Sequence, residues 1–359
     1  MAQFILNKTA LRCNYEYLKT LFEKNNIQFA IVSKLLCGTK SFLKELVDLG
    51  VQEVADSRVT NLERIKKINP DIRTIYIKPP AKRSIRKIVQ YADVSCNSEL
   101  QTILWLNEEA KRQNKIHNVL IMIEMGDLRE GVMGDDLMSF YASIFELEHI
   151  HVIGLGTNLN CLHGVMPSSD KLVQLGLYKQ LIESKFGQKI EWVSGGTSVV
   201  LPLLFRQQIP ASNNHFRIGE TLYFGNNLFT GEIIPEMRND VFRLKAEIIE
   251  ITDKPKVPFG ELATNPSGEQ FSFEEEDYGQ TVHRAIVDIG ILDVNPDFLF
   301  PINPKIKIGA ASSDMLVVEI PADPGYAIGS TIEFRVEYMA ALRLLNSFYI
   351  EKIVVEDPS

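Results

Sequence analysis

Eight short β-rich runs, separated by stretches whose apolar residues recur at helical spacing, fill the first part of the chain and leave it few architectures. The runs are IQFAIVSK (27–34), VQEVADS (51–57), TIYIK (74–78), DVSCNS (93–98), NVLIMIEMG (118–126), HVIGLGTNL (151–159), KIEWVSG (189–195) and HFRIGETLYFG (215–225). Between them, SFLKELVDLG, VTNLERIKKI, RSIRKIVQY and SELQTILWLNEEAKRQ read as amphipathic helices. Strands that alternate with helices pair in parallel, because each helix carries the chain back over the sheet. Eight such units close a (β/α)8 barrel. A doubly wound open sheet gives the same alternation, but no Gly-rich phosphate fingerprint follows the first run, and that favours the barrel.

After about residue 226 the pattern changes to long β runs with little helix: VFRLKAEIIEIT, TVHRAIVDIGILDV, DMLVVEI, STIEFRVEY and SFYIEKIVVE. Turn-forming clusters such as TDKPKVPFG and PADPGYAIGS separate them. The expected organisation is therefore α/β, a TIM-like barrel over 1–228 followed by a C-terminal β domain over 229–359. Within the latter, SFEEED (272–277) reads as a solvated hairpin or loop, or as a patch that attracts a cationic substrate.

At 359 residues, 45% hydrophobic and 23% charged, the chain has material for two cores. A net charge of −8 argues against nucleic acid or an anionic membrane as partner, since either needs a basic surface. No apolar stretch reaches the length of a membrane span and the start lacks the pattern of a signal peptide, so the expected location is cytoplasmic. Cys13, Cys37, Cys96 and Cys161 are widely spaced, and the six histidines complete no ligand set; no metal is expected.

Several unusual residues fall where the strands should end, the rim that lines the mouth of a barrel. Lys34 closes the first run, and an amine so placed can form a Schiff base. The fifth run ends in EMGDLREG, with Asp127, Arg129 and Glu130; the sixth in GTNLNCLHG, with Thr157, Asn158, Cys161 and His163. The seventh ends in SGGTS, and the eighth carries Arg217, Gly219 and Glu220. Small residues let backbone N–H groups approach a phosphate. With an arginine beside them and a lysine across the mouth, the set suits a phosphorylated cofactor bearing an aldehyde, pyridoxal 5′-phosphate (PLP). Singly, each residue has a plainer reading: Lys34 snorkels from a strand end, SGGTS is a turn, Arg217 pairs with Glu220, and Asn158 satisfies backbone groups.

IVSKLLCG, EMGDLREG, GLGTNLNC, VSGGTS, HFRIGE, AIVDIG and GAASSDMLVVEI, in this order over nearly the whole chain, resemble the alanine racemase-like, fold-type-III PLP enzymes, most closely their ornithine racemase branch. The resemblance implies an amino-acid racemase that works through a Cα carbanion, on ornithine or another cationic amino acid, as a head-to-tail homodimer. It implies that Lys34 forms the Schiff base with PLP and that Arg129 lies near the cofactor's phenolic oxygen. Asn158 stands against the pyridine ring, where alanine racemases carry a histidine. Gly195, Gly196, Thr197 and Ser198 match the phosphate turn, Gly219 and Glu220 add backbone amides, and Tyr349 in NSFYIEK matches a late phosphate-binding tyrosine. Arg217 matches the arginine at the pyridine nitrogen. Arginine keeps its proton, so the electron sink is moderate, which suits reprotonation at Cα over transamination.

The resemblance has gaps. Alanine racemases use a tyrosine from the second subunit as second base, and KVPFGE places Phe259 there; Leu-Leu-Cys-Gly after Lys34 lacks their phosphate tyrosine. Cys161, His163, Asp293, Ser313 and Asp314 are the candidates for a second base. Two other readings share the barrel. A lyase of the D-threonine aldolase type needs a His and Cys or Asp ligand set in the C-terminal domain when it is metal-dependent, and none is evident. Non-catalytic PLP-homeostasis proteins are single barrels, without a β domain. An ornithine-type decarboxylase would carry a CDG-type cysteine motif, which is absent.

Overall fold

The computed structural model describes residues 2–264, 268, 270–322 and 325–357. The chain forms two compact units, one of Asn7–Val241 with 354–357, the other of 2–6 with Phe242–Ile353. The last barrel helix ends at Phe224, and the chain passes between units near residues 6, 241 and 353 rather than once at 228. Among the described residues no helix is long and apolar enough to cross a membrane.

A strand precedes the first expected run: β1, Gln3–Asn7. The eight runs then give β2 (Gln28–Val32), β3 (Glu53–Asp56), β4 (Arg73–Tyr76), β5 (Val94–Asn97), β6 (His117–Met122), β7 (Ile150–Gly156), β8 (Trp192–Thr197) and β9 (His215–Ile218). These pair in sequence order, in parallel, and β9 returns to β2, closing the barrel. The outer helices follow from local signals. Asn7 Oδ1 accepts from the N–H groups of Thr9 and Ala10, capping the helix Lys8–Lys24, whose buried Leu11, Tyr15, Leu18 and Phe22 recur at three- and four-residue steps. The helix Ser169–Phe186 starts on the Ser168 hydroxyl and stops at Gly187 in the left-handed region (φ +64°).

The barrel interior is filled by Ala30, Val32, Ala55, Ile75, Val94, Cys96, Leu120, Met122, Ile153 and Trp192. This cluster draws on β2 through β8. Side chains alternate across a strand, and the inward positions of β9 are His215 and Arg217, with Phe216 and Ile218 buried on its other face.

The eighth run is shorter than expected. Strand ends at Ile218 and Glu220–Phe224 is a short helix, because Gly219 leaves the extended region (ψ −83°). Thr221, Leu222, Tyr223 and Phe224 are all buried, and such a run reads like a strand in sequence.

In the second unit β10 (Phe242–Pro255), β11 (Thr281–Val287), β12 (Leu299–Pro301), β13 (Lys307–Ala311), β14 (Leu316–Glu319) and β15 (Thr331–Val336) lie in the order β12-β15-β10-β11-β14-β13, all antiparallel. β1 pairs with β10 and with β16 (Glu351–Val355), and Phe4 packs on Phe242 with ring centroids 5.0 Å apart. TVHRAIVDIGILDV is strand only to Val287, since Ile289 and Val294 close tight turns on Val287 and Gly290. A helix, Tyr338–Asn346, follows β15 and buries Ala340, Ala341, Leu344 and Leu345. SFEEED forms a one-turn helix, Glu275–Asp277, with Asp277 paired to Lys256 at 2.5 Å.

Candidate active site

Three adjacent strands bring the expected residues together. Parallel register pairs Ile31 with Ile218 and Thr197 with Arg217, so the carboxyl ends of β2, β9 and β8 open on the same rim. Lys34 begins a single helical turn, Lys34–Leu36, just beyond β2. Its backbone is held by buried neighbours: Ser33 N–H donates to Ala55 O (2.9 Å), and Leu35 and Leu36 are buried. Its side chain is exposed. Beneath it, Asp56 is fully buried and accepts from Ser33 Oγ (2.7 Å), Arg58 N (2.8 Å) and Asn61 Nδ2. Burial pushes the Asp56 carboxyl upward against these donors and the charge of Lys34.

On β8, Gly196 has φ +137°, a conformation that favours glycine, and a Cβ there would meet nothing within 4 Å. Ser198 is buried, and its Oγ accepts from the N–H of Gly219 (3.1 Å) and of Thr221 (3.5 Å). The turn after β8 and the turn after β9 are thereby tied to each other.

Arg217 is only 2% exposed. Its Nη1 donates to Ser194 Oγ, and its Nη2 to Thr157 O (2.6 Å) and Asn158 Oδ1 (2.9 Å). All three acceptors are neutral, Glu220 is not among them, and Nε has no acceptor among the described residues. Burial lowers the Arg217 pKa, with nearby Glu130 acting the other way and Arg129 with it. Backbone space is made for this cation: a Cβ on Gly156 would lie 3.0 Å from Ser194 and 3.4 Å from Arg217 Nη1.

Asn158 links this group to the loop after β6. Its Nδ2 donates to Glu130 Oε1 (2.5 Å), and Glu130 holds Arg129 through a two-point contact. Asp127 is buried and accepts from the N–H groups of Cys161, Leu162 and His163 at 2.9–3.1 Å. Desolvation opposes its charge, but those donors outweigh it and hold the carboxyl below its ordinary range.

Thus Lys34, Arg129, Asn158, Gly196, Thr197, Ser198, Arg217, Gly219 and Glu220 all lie at strand ends of one barrel. Tyr349 lies in the β unit, 76% exposed, with its N–H on Ser347 Oγ (3.2 Å). Phe259, also in that unit, is 94% exposed. Asp293 there accepts from Ser347 Oγ (2.5 Å), while Ser313 and Asp314 are exposed. In the barrel, Cys161 Sγ reaches Leu159 O (3.4 Å) and His163 Nδ1 lies 2.7 Å from Asp127 O.

Residues 6–227 match the family model described as alanine racemase, N-terminal domain. The chain is also 37% identical to an ornithine racemase of Acetoanaerobium sticklandii over 95% of its own length and 96% of the relative's. The chain belongs to the alanine racemase family. A lysine racemase of Thermotoga maritima is 26% identical, with 98% of each chain covered. Among solved structures, an alanine racemase from Bartonella henselae with covalently bound pyridoxal phosphate has the same fold, with a TM-score of 0.73 at 14% identity and 99% of each chain covered. The family's barrel and antiparallel β unit are both present here.

Residues the sequence did not single out also join the site. Glu53, Ser194 and His215 are buried inside the barrel and bonded in line with Arg217. The signal was available in HFRI and WVSG, where a polar residue stands two positions from another polar or aromatic residue on the inward face of a strand.

Proposed function

We propose that the barrel mouth holds PLP and that the protein racemises a cationic amino acid. Arg217 carries this reading: a buried guanidinium, bonded only to neutral acceptors, with a donor left over, on the strand between Lys34 and Ser198. A buried cation without a direct counter-charge is costly and is retained where function requires it. The donor set fits the cofactor's polar features, with an amine for the aldehyde, a guanidinium N–H for the ring nitrogen, and Ser198 with the Gly196, Thr197 and Gly219 backbone for the phosphate. The open space at Gly196 and the buried Thr157 Oγ1, without a partner among the described residues, agree with a group seated there. The ornithine and lysine racemases matched over nearly the full chain support a cationic substrate.

PLP, when bound, supplies an electron sink for the pair left at Cα. Lys34 would hold the cofactor covalently at rest; once the substrate's amine has taken its place on the cofactor, the freed Nζ would hold and return the α-proton on one face of the substrate. Arg217 would offer an N–H to the ring nitrogen without surrendering the proton. Asn158, fixed between Arg217 and Glu130, would position the ring, and Glu130 aims Arg129. Tyr349 joins the phosphate donors in this reading. A second proton carrier is required on the opposite face. Phe259 has no transferable proton, which leaves Cys161 and His163 or, in a head-to-tail homodimer, the β-unit groups Asp293, Ser313 and Asp314. A fully active monomer by light scattering at assay concentration would remove the β-unit candidates.

The test is chiral chromatography of ornithine, lysine, alanine and threonine, each enantiomer incubated with the PLP-loaded protein. Interconversion of ornithine or lysine faster than of alanine is expected. Cleavage of D-threonine to glycine and acetaldehyde without racemisation would favour the lyase, and exchange of the α-hydrogen in D2O without racemisation would point to a single base.

A further inference from the structure

We infer that Ser194, His215 and Glu53 are positioning residues for Arg217, joined to it in a one-way hydrogen-bond chain that fixes the guanidinium and sets how far its charge is offset. The inference rests on the proposed function only where it takes Arg217 to face the cofactor ring.

Donor chemistry sets the direction of the chain. Arg217 Nη1 can only donate, so Ser194 Oγ accepts from it and has its single hydrogen left to give. The other partner of that hydroxyl is His215 Nδ1 at 2.8 Å. His215 Nε2 lies 3.0 Å from Glu53 Oε2, an oxygen that accepts. A neutral His215 with its proton on Nε2 satisfies every bond at once: Arg217 to Ser194, Ser194 to Nδ1, Nε2 to Glu53. Burial lowers the His215 pKa against the pull of Glu53, which agrees with a neutral ring.

The Glu53 end and the middle of the chain are braced. Glu53 Oε1 is held by Arg73 Nη1 (3.2 Å), and the Trp192 ring stacks on His215 at 4.2 Å and 11°, with the Arg73 guanidinium 5.3 Å from the Trp192 centroid. Ser194 and His215 are fully buried and Glu53 nearly so. Three polar side chains thus cross an interior that β2 through β8 otherwise fill with mainly apolar groups. Bonds aligned in one sense polarise each other in a low-dielectric core. The negative end at Glu53 therefore makes Ser194 Oγ a stronger acceptor for Arg217 and withdraws part of the cation's effect from the cofactor ring. Without the chain, Arg217 acts as a fuller positive charge at the ring nitrogen, the sink deepens, and transamination competes with return of the proton to Cα.

The first readout needs no turnover. Nitrogen-15 NMR of histidine-labelled full-length protein, with His215 assigned from His215→Asn, should find a neutral ring protonated at Nε2. Glu53→Gln should weaken that tautomer preference, and Ser194→Ala should shift Nδ1 while leaving the proton on Nε2. A charged or Nδ1-protonated His215 in the wild type overturns the chain, whether or not the protein is a racemase. In the PLP-loaded protein, Glu53→Gln and Ser194→Ala should each lower the ratio of racemisation to transamination roughly threefold to tenfold, and the double variant should do no worse than the singles. Glu53→Asp should restore part of the ratio, and it replaces Glu53→Gln if the latter fails to fold. Unchanged ratios, or effects that simply multiply, would overturn the inference. Absence of racemisation in the wild type would instead refute the proposed function.

Discussion

Two buried histidines of the barrel unit make the same local contact and have different consequences. His117 Nε2 lies 2.8 Å from Ser95 Oγ, and His215 Nδ1 lies 2.8 Å from Ser194 Oγ, each serine on the neighbouring strand. Val94 and Cys96 belong to the interior cluster, so Ser95 and Asn97, alternating with them, lie on the helix-facing side of the sheet. There the chain of bonds ends on Asn97, whose Oδ1 is buried without a partner among the described residues. His215 faces inward, where its second nitrogen meets Glu53 and its serine meets Arg217. The face of the pleat on which a strand places a His–Ser pair decides whether the pair only completes packing or reaches the mouth.

The largest expected effect separates the two. His215→Phe should cost about 3–5 kcal/mol in urea unfolding, because it removes the partner of Glu53 Oε2 and of the Ser194 hydroxyl hydrogen inside the barrel and leaves them only Arg73 and Arg217, and should cut kcat by ~10²-fold or more through Arg217. His117→Phe should cost about 1–3 kcal/mol and leave kcat within a fewfold, as a lost buried hydrogen bond does. Equal damage to kcat from both variants would break the comparison.

Acid should expose the helix-facing histidine next. Burial lowers the His117 pKa from 6.5 to about 4. The unfolded chain therefore binds a proton that the fold refuses, and stability is full above the unfolded value and falls as pH drops from 6.5 toward 4. The loss is at most roughly 3 kcal/mol over that window. Urea midpoints against pH should flatten in His117→Asn; an unchanged slope would mean that other groups carry the acid sensitivity.

Smaller again is Gly156→Ala, which puts a methyl group against Ser194 and Arg217. A cost of about 1–3 kcal/mol is expected from overpacking, with kcat falling more than stability requires. Gly187→Ala, at a helix end with φ +64°, should cost about 1 kcal/mol and leave kcat alone. If the two glycine variants change kcat alike, close packing around Arg217 has no special consequence.

Much of this was legible in the sequence. The eight strands announced themselves because buried parallel strands are short apolar runs set apart by amphipathic helices, and Lys34 and Arg217 stood out as polar residues at the ends of such runs. QFILN before the helix Lys8–Lys24 was missed because one short run gives no alternation to count, and its partner strand β10 begins 235 residues further on (242 − 7). Leu299–Pro301 and Lys307–Ala311 are short and sit among turn residues, and the helix Tyr338–Asn346, between STIEFRVEY and SFYIEKIVVE, is too short for its apolar residues to show a helical period. The Glu53–His215–Ser194 chain was hidden for another reason. Its members lie on β3, β9 and β8, and only closure of the barrel, which pairs β9 with β2, brings β3 and β9 within reach of each other.

The central claim is that the amine at the end of β2 is where the cofactor is held, and reduction followed by peptide mapping tests it most directly. Protein loaded with PLP, treated with borohydride and digested, should carry a single pyridoxyl group on the peptide containing Lys34, with loss of visible absorption. Lys34→Ala should carry none. A pyridoxyl group on any other lysine of the wild type, with Lys34 unmodified, would contradict the account.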